Sequence, residues 1–246
     1  MKRSDSRTPP GTRAASANRL ARRRMTAEER RREILHTAAN LFDDRGYAST
    51  TMDDIAEVVG VAKATLYHYF QSKDEILHWI HDELIELLVS RHQRRLGAGL
   101  GPDQLLLEVM ADILELMETH RGHVRVFFEH FRELPASAQD NIREKRQRYD
   151  DMVLQVFTDG IGSGVFRDVD VRLASFAAYG MCNWAYQWYE PRGALRSREV
   201  AYQFWSYLVR GLAPDQKIPD SANRRTHVSN PPAVARLDGD AVPNPA

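Results

Sequence analysis

Several features that are common in proteins are scarce or missing in this sequence of 246 residues. Cys182 is the only cysteine, which excludes a disulfide framework and fits a reducing compartment. No apolar run approaches the roughly 18 residues that a membrane-spanning helix needs. The charged N-terminus is not followed by the apolar segment of a secretory signal. We therefore expect a cytoplasmic protein with no membrane partner.

Strand-like alternation of apolar and polar residues is also missing, and apolar residues recur at helical spacing instead. The pattern predicts an all-α fold of about nine helices. We expect them near residues 26–45, twice within 50–70, then at 73–95, 103–120, 124–134, 137–160, 171–189 and 197–212.

Charge and composition vary along the chain although the formal net charge is zero. Residues 1–34 hold 11 Lys or Arg against 4 acidic residues, whereas residues 35–213 hold 19 against 26. Residues 1–24 lack aromatic residues, and residues 214–246 contain six of the eleven prolines and no aromatic residue. We predict that both of these terminal segments are disordered.

The most informative stretch is residues 50–70, TTMDDIAEVVGVAKATLYHYF. Thr51 is a favourable N-cap, and Asp54 follows at capping-box spacing. An apolar face formed by Ile55, Val58 and Val59 precedes Gly60, which can end a helix in the left-handed conformation. A second short helix follows within residues 62–68. Two short helices joined by a tight glycine turn predict a helix-turn-helix, whose second helix enters the major groove of DNA.

The second helix is expected to bury Val61, Leu66 and Phe70 and to present its other side chains to DNA. Lys63 and Thr65 can bond base edges, and Ala64 can touch a thymine methyl group. Tyrosine hydroxyl groups and the His68 ring can reach phosphates, which set register. The alternative is a helical hairpin with a solvated polar face. The predicted DNA contacts are Thr50, Thr51, Lys63, Ala64, Thr65, Tyr67, His68, Tyr69 and Lys73.

Residues 32–77 resemble the DNA-binding domain of the TetR family of transcriptional repressors. The similar parts are Phe42, Gly46-Tyr47, Thr50-Thr51, Ile55-Ala56, Gly60-Val61, residues 66–70 and Ser72-Lys73. The resemblance implies a three-helix DNA-binding domain at residues 25–72 and a ligand-binding and dimerisation domain at 73–213. It also implies that the helix at 73–95 joins the two. Its first amides, together with Lys73, would hold a phosphate. Residues 1–24 are either an inert tail or a basic arm, with Arg19 and Arg22–Arg24 in the minor groove.

The second half of the chain is rich in aromatic and methionine residues, which can line an adaptable apolar cavity or simply fill a helical core. We predict ligand contacts at Met110, Ile113, Met117, Phe127, Phe128, Tyr149, Met152, Val153, Phe176, Tyr179, Gly180, Asn183, Trp184, Gln187 and Trp188.

No set of residues typical of catalysis, metal binding or a cofactor is present. Asp150 and Asp151 are adjacent and cannot face each other on a helix. His120 and His123 lack further ligands at metal spacing. The GIGSG run at residues 160–164 lacks the Lys and Ser/Thr of a phosphate loop. We therefore expect no enzyme activity and no cofactor.

Residues 160–212 are similar to the C-terminal domain of TetR-family repressors of fatty-acid and steroid catabolism. The shared marks are Gly160, Gly164, Phe166, Trp188-Tyr189, Pro191 and Gly193. The resemblance implies an acyl-CoA effector, although Gln187 stands where some of those repressors have arginine. Arg121, Arg125, Arg143, Arg146 and Arg148 are candidate substitutes. It also implies a homodimer through the last two helices, with Phe176, Tyr179, Phe204, Trp205, Tyr207, Leu208 and Leu212 at the interface.

The expected function is therefore that of a homodimeric repressor that an effector releases from a palindromic operator in double-stranded DNA. The effector is a small hydrophobic molecule, expected to be an acyl-CoA, and the regulated genes would serve lipid or steroid catabolism. One alternative is a repressor of a drug efflux pump, whose pocket could use Glu108, Glu115 or Glu118 to bind a lipophilic cation. A second is an enzyme or carrier for acyl chains with a vestigial DNA-binding domain.

Overall fold

The computed structural model describes residues 25–214, and every regular element within this range is helical. The all-α prediction is confirmed. A 3-10 turn lies at Phe131–Glu133, and the four-residue α9 is the shortest α-helix of this range. The α-helices are α1 (Ala27–Arg45), α2 (Met52–Val59), α3 (Lys63–Tyr69), α4 (Lys73–Gly97), α5 (Pro102–Thr119), α6 (Arg121–Glu129), α7 (Ala136–Gly162), α8 (Val171–Asn183), α9 (Ala185–Trp188) and α10 (Ser197–Leu212).

Local caps fix where the first helices begin and end. The hydroxyl groups of Thr26 and Thr51 accept the backbone N–H groups three residues on, as capping boxes require. Gly60 ends α2 in the left-handed conformation, with φ 75° and ψ 36°. At α4, Ser72 caps Glu75, but the Glu75 carboxylate accepts from the Gln71 N–H instead of the Ser72 N–H. Ser72 and Glu75 have the spacing of a capping box, but only half of its hydrogen bonds are formed.

Helices α1 to α3 share a core with the first turns of α4. α1 contributes a buried stripe, α3 inserts Leu66, and Phe70 follows directly after it. The Arg31 guanidinium lies 4.0 Å from the centre of the Trp79 ring and 4.8 Å from that of Phe70. These contacts join the start of α1 to α4, so α4 is continuous with the helix-turn-helix core.

Helices α5 to α10 pack around the remainder of α4. α4 contacts α5, α6 and α7, while α10 lies along α5 and also contacts α8. Helix α6 packs against α1 as well. The helical region after α3 is therefore joined to the helix-turn-helix through α4 and through the contact between α6 and α1.

Some predictions of local structure were wrong. The buried stripe of α2 is Met52, Ile55, Ala56 and the half-buried Val59, so Val58 lies off this stripe and is 54% exposed. The single helix expected at residues 171–189 is interrupted at Trp184, whose N–H lies 3.4 Å from the Gly180 carbonyl. The helix expected at 124–134 begins earlier and ends in the 3-10 turn.

Other predictions concern parts of the chain that the structure does not describe or properties it does not test. The basic arm at residues 1–24 lies outside the described residues, as does nearly all of the tail at 214–246. The proposed division at residues 72 and 73 remains a prediction. Between residues 25 and 214, none of the helices combines the length and apolar character required to cross a bilayer.

Candidate DNA-binding surface and effector cavity

Helix α3 has one buried side and one exposed side. Leu66 and the following Phe70 are buried, and Val61 is half-buried against the same core. The exposed side carries Lys63, Ala64, Thr65, Tyr67 and His68, as the spacing predicts, and Tyr69 lies at its edge, half-buried. This surface offers donors, a methyl group and aromatic hydroxyls on one short helix.

Lys63 is paired on the protein surface. Its Nζ lies 2.8 Å from Oδ1 of Asp53, and this hydrogen-bonded carboxylate raises the pKa of the Lys63 ammonium. Both side chains are more than half exposed. Exposed pairs contribute little to stability, so the ammonium is free to exchange Asp53 for a phosphate or a base edge.

Two of the predicted DNA contacts have structural roles instead. Thr50 is fully buried, and its hydroxyl donates to the carbonyl oxygens of Gly46 at 3.0 Å and Leu41 at 3.3 Å. Lys73 donates to the carbonyl oxygens of Tyr47 at 2.7 Å and Thr50 at 2.9 Å. Because the Thr50 hydroxyl faces the protein interior, its prediction as a contact is corrected.

Lys73 is further held by an aromatic ring. Its Nζ lies 4.2 Å from the centre of the Tyr47 ring, whose hydroxyl donates to Asp74. Burial and this hydrogen bond raise the pKa of Tyr47. The Lys73 ammonium therefore holds the turn between α1 and α2 against the start of α4. A DNA phosphate that contacted Lys73 would have to share the ammonium with these two carbonyl oxygens. Thr51 is exposed, with its hydroxyl bonded to Asp54 at 2.6 Å.

A cavity of about 340 Å³ lies among α4 to α8. Its two walls differ in chemistry. One wall is entirely apolar and comes from α4, α5 and α6, with Leu84, Ile85, Leu88, Ile113, Leu116, Met117, Val124, Phe127 and Phe128. The other comes from α7 and α8, with Arg146, Tyr149, Asp150, Phe176, Tyr179 and Asn183. Its size and lining are typical of a small-molecule site.

Many predicted ligand contacts meet in this cavity. Those that line it are Ile113, Met117, Phe127, Phe128, Tyr149, Phe176, Tyr179 and Asn183. The remaining predicted contacts do not line it. Met110 and Val153 are fully buried in the core, and Met152 lines a separate groove beside His92.

The last group of predicted contacts lies beyond the end of α8 or on its exposed side. Gly180, Trp184, Gln187 and Trp188 are all exposed, and the exposed fraction of Trp184 is 55%. Because α8 ends at Asn183, the chain after it does not continue along the cavity wall. The expectation that these four residues line the cavity is therefore corrected.

Sequence reasoning missed several lining residues. α4 was expected to serve as a connecting helix, yet three of its leucine and isoleucine side chains face the cavity. From the sequence, Asp150 enters only as a possible catalytic partner of Asp151. Arg146 enters only as one of five arginines that could replace the anion contact missing at Gln187. Their i, i+4 spacing with each other, flanking Tyr149, was the available signal.

Two charged groups of the cavity wall are perturbed by burial. Burial lowers the pKa of the Arg146 guanidinium to about 10, and its guanidinium carbon lies 4.0 Å from the centre of the Phe127 ring. Burial also raises the pKa of the Asp150 carboxyl, an effect that Tyr179 and Arg146 oppose. The wall carries one group of each sign.

The acidic residues considered for a lipophilic cation lie elsewhere and have partners. Glu108 pairs with Arg95 at 3.0 Å and with Arg198, while Glu115 pairs with Arg91 at 3.2 Å. Glu118 accepts hydrogen bonds from the Tyr189 hydroxyl and, at 3.0 Å, from the Ser197 N–H. None of these three carboxylates lines the cavity.

Helix α6 connects the cavity to α1. Val124, Phe127 and Phe128 line the cavity, whereas Gly122, His123 and Arg125 lie toward α1. Arg125 Nε lies 2.8 Å from Oδ1 of Asp43. A Cβ atom on Gly122 would lie 3.2 Å from the carbonyl carbon of Ala39, so the two backbones approach closely. Helix α6 is therefore in direct contact with both the cavity and α1.

Part of the expected dimer surface is exposed on α8 and α10. Of the expected residues, Phe176 and Tyr207 are each about half exposed or more, and so are Leu173 and Tyr202, which were not expected there. Phe204, Trp205 and Leu208 are half-buried, and the Trp205 indole donates to the Asp103 carbonyl oxygen at 2.8 Å. Phe176 and Tyr179 both line the cavity, but only Phe176 is also exposed. Tyr179 is half-buried and Leu212 is buried, so these two residues do not fit this surface.

Two segments of the chain match known protein families. Residues 34–80 match the family described as bacterial regulatory proteins, tetR family. Residues 99–212 match the tetracyclin repressor-like C-terminal domain. In the described residues, no group of three or more His, Cys, Asp or Glu side chains could hold a metal ion.

Individual relatives cover most of the described residues. The transcriptional repressor KstR2 of Rhodococcus jostii is 30% identical over 75% of this chain and 91% of its own length. The regulator PfmR of Thermus thermophilus is 32% identical, with TM-score 0.67 over 72% of this chain and 97% of its own. The structure of AibR in complex with isovaleryl coenzyme A and operator DNA is 29% identical, with TM-score 0.63 over 75% of this chain and 98% of the AibR chain.

These relatives are transcriptional regulators rather than enzymes, and TetR regulators bind operator DNA as dimers. The matches span both the helix-turn-helix and the helices that surround the cavity. The chain therefore belongs to the TetR family and is a TetR-type transcriptional repressor.

Proposed function

We propose that this repressor is released from its operator by an acyl-CoA thioester whose acyl part enters the cavity among α4 to α8. We further propose that it controls genes of lipid or steroid catabolism. The proposal rests on which helices form the walls of the cavity. The same helices, α4 and α6, line the cavity and pack against α1, which in turn packs against the first helix of the helix-turn-helix.

The contact surface we propose for DNA is the exposed side of α3. Thr65 and Lys63 would bond base edges, Ala64 would contact a thymine methyl group, and Tyr67 and His68 would reach phosphates. Thr51 and Tyr69 lie at its edges. The buried Thr50 and the tethered Lys73 support the geometry of this surface from behind.

Release follows from a difference in affinity between two states. An acyl group between the apolar wall and α7 would favour positions of α4 and α6 that differ from those required on DNA. Such a ligand lowers DNA affinity only by as much as it prefers the second state. In a dimer, α4 sets the separation of the two α3 helices, so small shifts would mismatch a palindromic operator.

The relatives support an acyl-CoA in preference to a drug. AibR was crystallised with isovaleryl coenzyme A and operator DNA, and KstR2 of Mycobacterium tuberculosis is described as a ketosteroid regulator. The efflux alternative expects a free carboxylate for a lipophilic cation. Glu108, Glu115 and Glu118 are all engaged outside the cavity, and Asp150 has Arg146 one turn away.

An electrophoretic shift assay tests the proposal. The purified protein is mixed with DNA from upstream of its own gene, and acyl-CoAs of long-chain and steroid type are titrated in. We expect release at micromolar acyl-CoA, with free acid and free CoA inactive. Release by lipophilic cations alone would favour the efflux alternative, and failure to bind any specific DNA would favour the acyl-chain enzyme or carrier.

A further inference from the structure

The polar lining of the cavity is confined to one wall. All five of its polar residues belong to α7 and α8, and the facing wall from α4, α5 and α6 is wholly apolar. A plain hydrocarbon chain needs no such asymmetry. The polar wall is formed by Arg146, Tyr149, Asp150, Tyr179 and Asn183.

Polar atoms of this wall lack hydrogen-bond partners within the part of the chain that the structure describes. The hydroxyl oxygen of Tyr149 is buried without a partner, and so is Nε of Arg146. The Tyr179 hydroxyl likewise makes no hydrogen bond of ordinary length, although it lies close enough to Asp150 to lower the pKa of that carboxyl. Unpartnered buried polar groups destabilise a protein, and in native structures each of them calls for an explanation.

The Arg146 guanidinium packs against two aromatic rings, with its carbon 4.0 Å from the centre of the Phe127 ring and 4.5 Å from that of Phe131. Among residues 25–214 no acidic oxygen forms an ion pair with it, and its best contact is Nη2 to the Phe127 carbonyl oxygen at 3.4 Å. Asp150 lies one turn further along α7 and lowers the net charge of the wall to zero. A guanidinium that stacks on aromatic rings and forms no ion pair within the described residues can donate to an oxygen of a bound molecule.

We propose that the acyl part of the effector carries keto or hydroxyl oxygens along one edge. These oxygens would face Arg146, Tyr149 and Tyr179, while the hydrocarbon edge packs against the apolar wall. The inference rests on the proposed function and narrows its ligand to oxygenated acyl-CoAs. The neutral balance of Arg146 and Asp150 favours uncharged oxygens over a second carboxylate.

Calorimetric titration of the full chain tests this inference. The ligands are octanoyl-CoA and its 5-oxo and 7-oxo derivatives, which differ by one carbonyl oxygen. We expect at least one oxo compound to bind about 3- to 10-fold more tightly than octanoyl-CoA, since one satisfied neutral hydrogen bond has that effect.

Tyr149→Phe provides the matched variant. This variant removes a hydroxyl without a hydrogen-bond partner, so the free protein should be no less stable than the wild type. The ratio of its affinities for the oxo compound and for octanoyl-CoA should fall toward one. Tyr189→Phe is the control, because its hydroxyl bonds Glu118 and the Leu195 carbonyl oxygen outside the cavity. It should lower the melting temperature and leave the preference unchanged.

The outcomes separate this inference from the proposed function. Equal binding of octanoyl-CoA and both oxo compounds would overturn the oxygenated effector and leave an acyl-CoA repressor standing. A preference that survives in Tyr149→Phe and Arg146→Gln alike would also overturn the role of the polar wall. Binding of none of the three thioesters would overturn the proposed function and this inference together.

Discussion

At the scale of single residues, Lys73 and Thr50 differ most from what their positions in the sequence indicate. Both belong to a motif that resembles DNA-contacting segments, yet Thr50 is buried and Lys73 holds two backbone carbonyl oxygens. A residue that fixes a turn behind α3 affects DNA binding without touching DNA. The distinction can be measured through stability.

Lys73→Met should therefore destabilise the fold. It keeps the aliphatic stem and removes an ammonium that donates two hydrogen bonds, so we expect a loss of about 1.5–3 kcal/mol in the free energy of unfolding. Lys63→Met is the control, since Lys63 is exposed and should change stability by less than about 0.5 kcal/mol. Chemical denaturation measures both, and equal small effects would contradict the structural role of Lys73.

Thr65→Ala should alter sequence preference more than overall affinity. Thr65 is exposed near the middle of α3, where a hydroxyl can bond a base edge. A lost base contact should cost about 1–3 kcal/mol on the preferred operator and less on operators changed at that position. Fluorescence anisotropy with a set of single-base variants measures this. An equal loss on every sequence, including unrelated DNA, would rule out the base-reading role.

At the scale of elements, α6 is a second link, beside α4, between the cavity and α1. Its Phe127 and Phe128 line the cavity, and its Gly122 lies against the backbone of α1. This contact depends on the absence of a Cβ atom at one position. Coupling through α6 thus adds to the role that was expected for α4.

Gly122→Ala should loosen the contact between α6 and α1. The added Cβ would meet Ala39 and Asn40, and overpacking of this kind costs about 1–3 kcal/mol. Gly162→Ala is the matched control, because a Cβ atom added there would meet nothing within 4 Å. Thermal unfolding should show a loss for the first variant only. A Gly122→Ala protein as stable as the control would contradict the close contact.

The contact between α6 and α1 should also make stability depend on pH. Burial lowers the pKa of His123 to about 3, with His120 and His36 adding to the effect and Glu83 lying 3.8 Å away. As pH falls, the His123 ring of the unfolded chain takes up a proton near pH 6.5, whereas the ring in the folded protein does so only near pH 3. Between these two values protonation therefore favours the unfolded chain. Stability should therefore fall as pH drops from 7 toward 3.

His123→Gln should reduce this fall in stability, and melting curves between pH 7 and pH 5 measure it. His68→Gln is the control, since His68 lies on the exposed side of α3. If His123→Gln and the wild type lost stability in parallel over this range, the burial of His123 would not be the cause. The His68 variant should follow the wild type.

At the scale of the whole molecule, sequence reasoning succeeded where the signals are local. The cap at Thr51, the left-handed Gly60 and the apolar spacing of α3 all act within a few residues. They were sufficient for the all-α fold and for the exposed side of α3. Membership of the TetR family rests on the same segment and on residues 99–212.

The cavity was less predictable because its walls come from five helices. Composition indicates aromatic and methionine residues suited to a pocket, but not which of them face it. Met110 and Val153 look like their neighbours in sequence and are buried elsewhere, while the break at Trp184 turns the expected contacts that follow α8 outward. Lys73 and Thr50 were misassigned because their partners are backbone carbonyl oxygens, which a side-chain pattern does not reveal.

A ligand bound in this cavity should lower the affinity of the protein for its operator. Operator affinity is measured by fluorescence anisotropy with and without saturating acyl-CoA, for the wild type and for Met117→Trp, which fills the cavity. Leu195→Trp, at an exposed loop position, is the control. We expect the wild type and the control to lose at least about fivefold in affinity on adding acyl-CoA. Met117→Trp should bind DNA and show no loss; release of Met117→Trp equal to that of the wild type would contradict the claim.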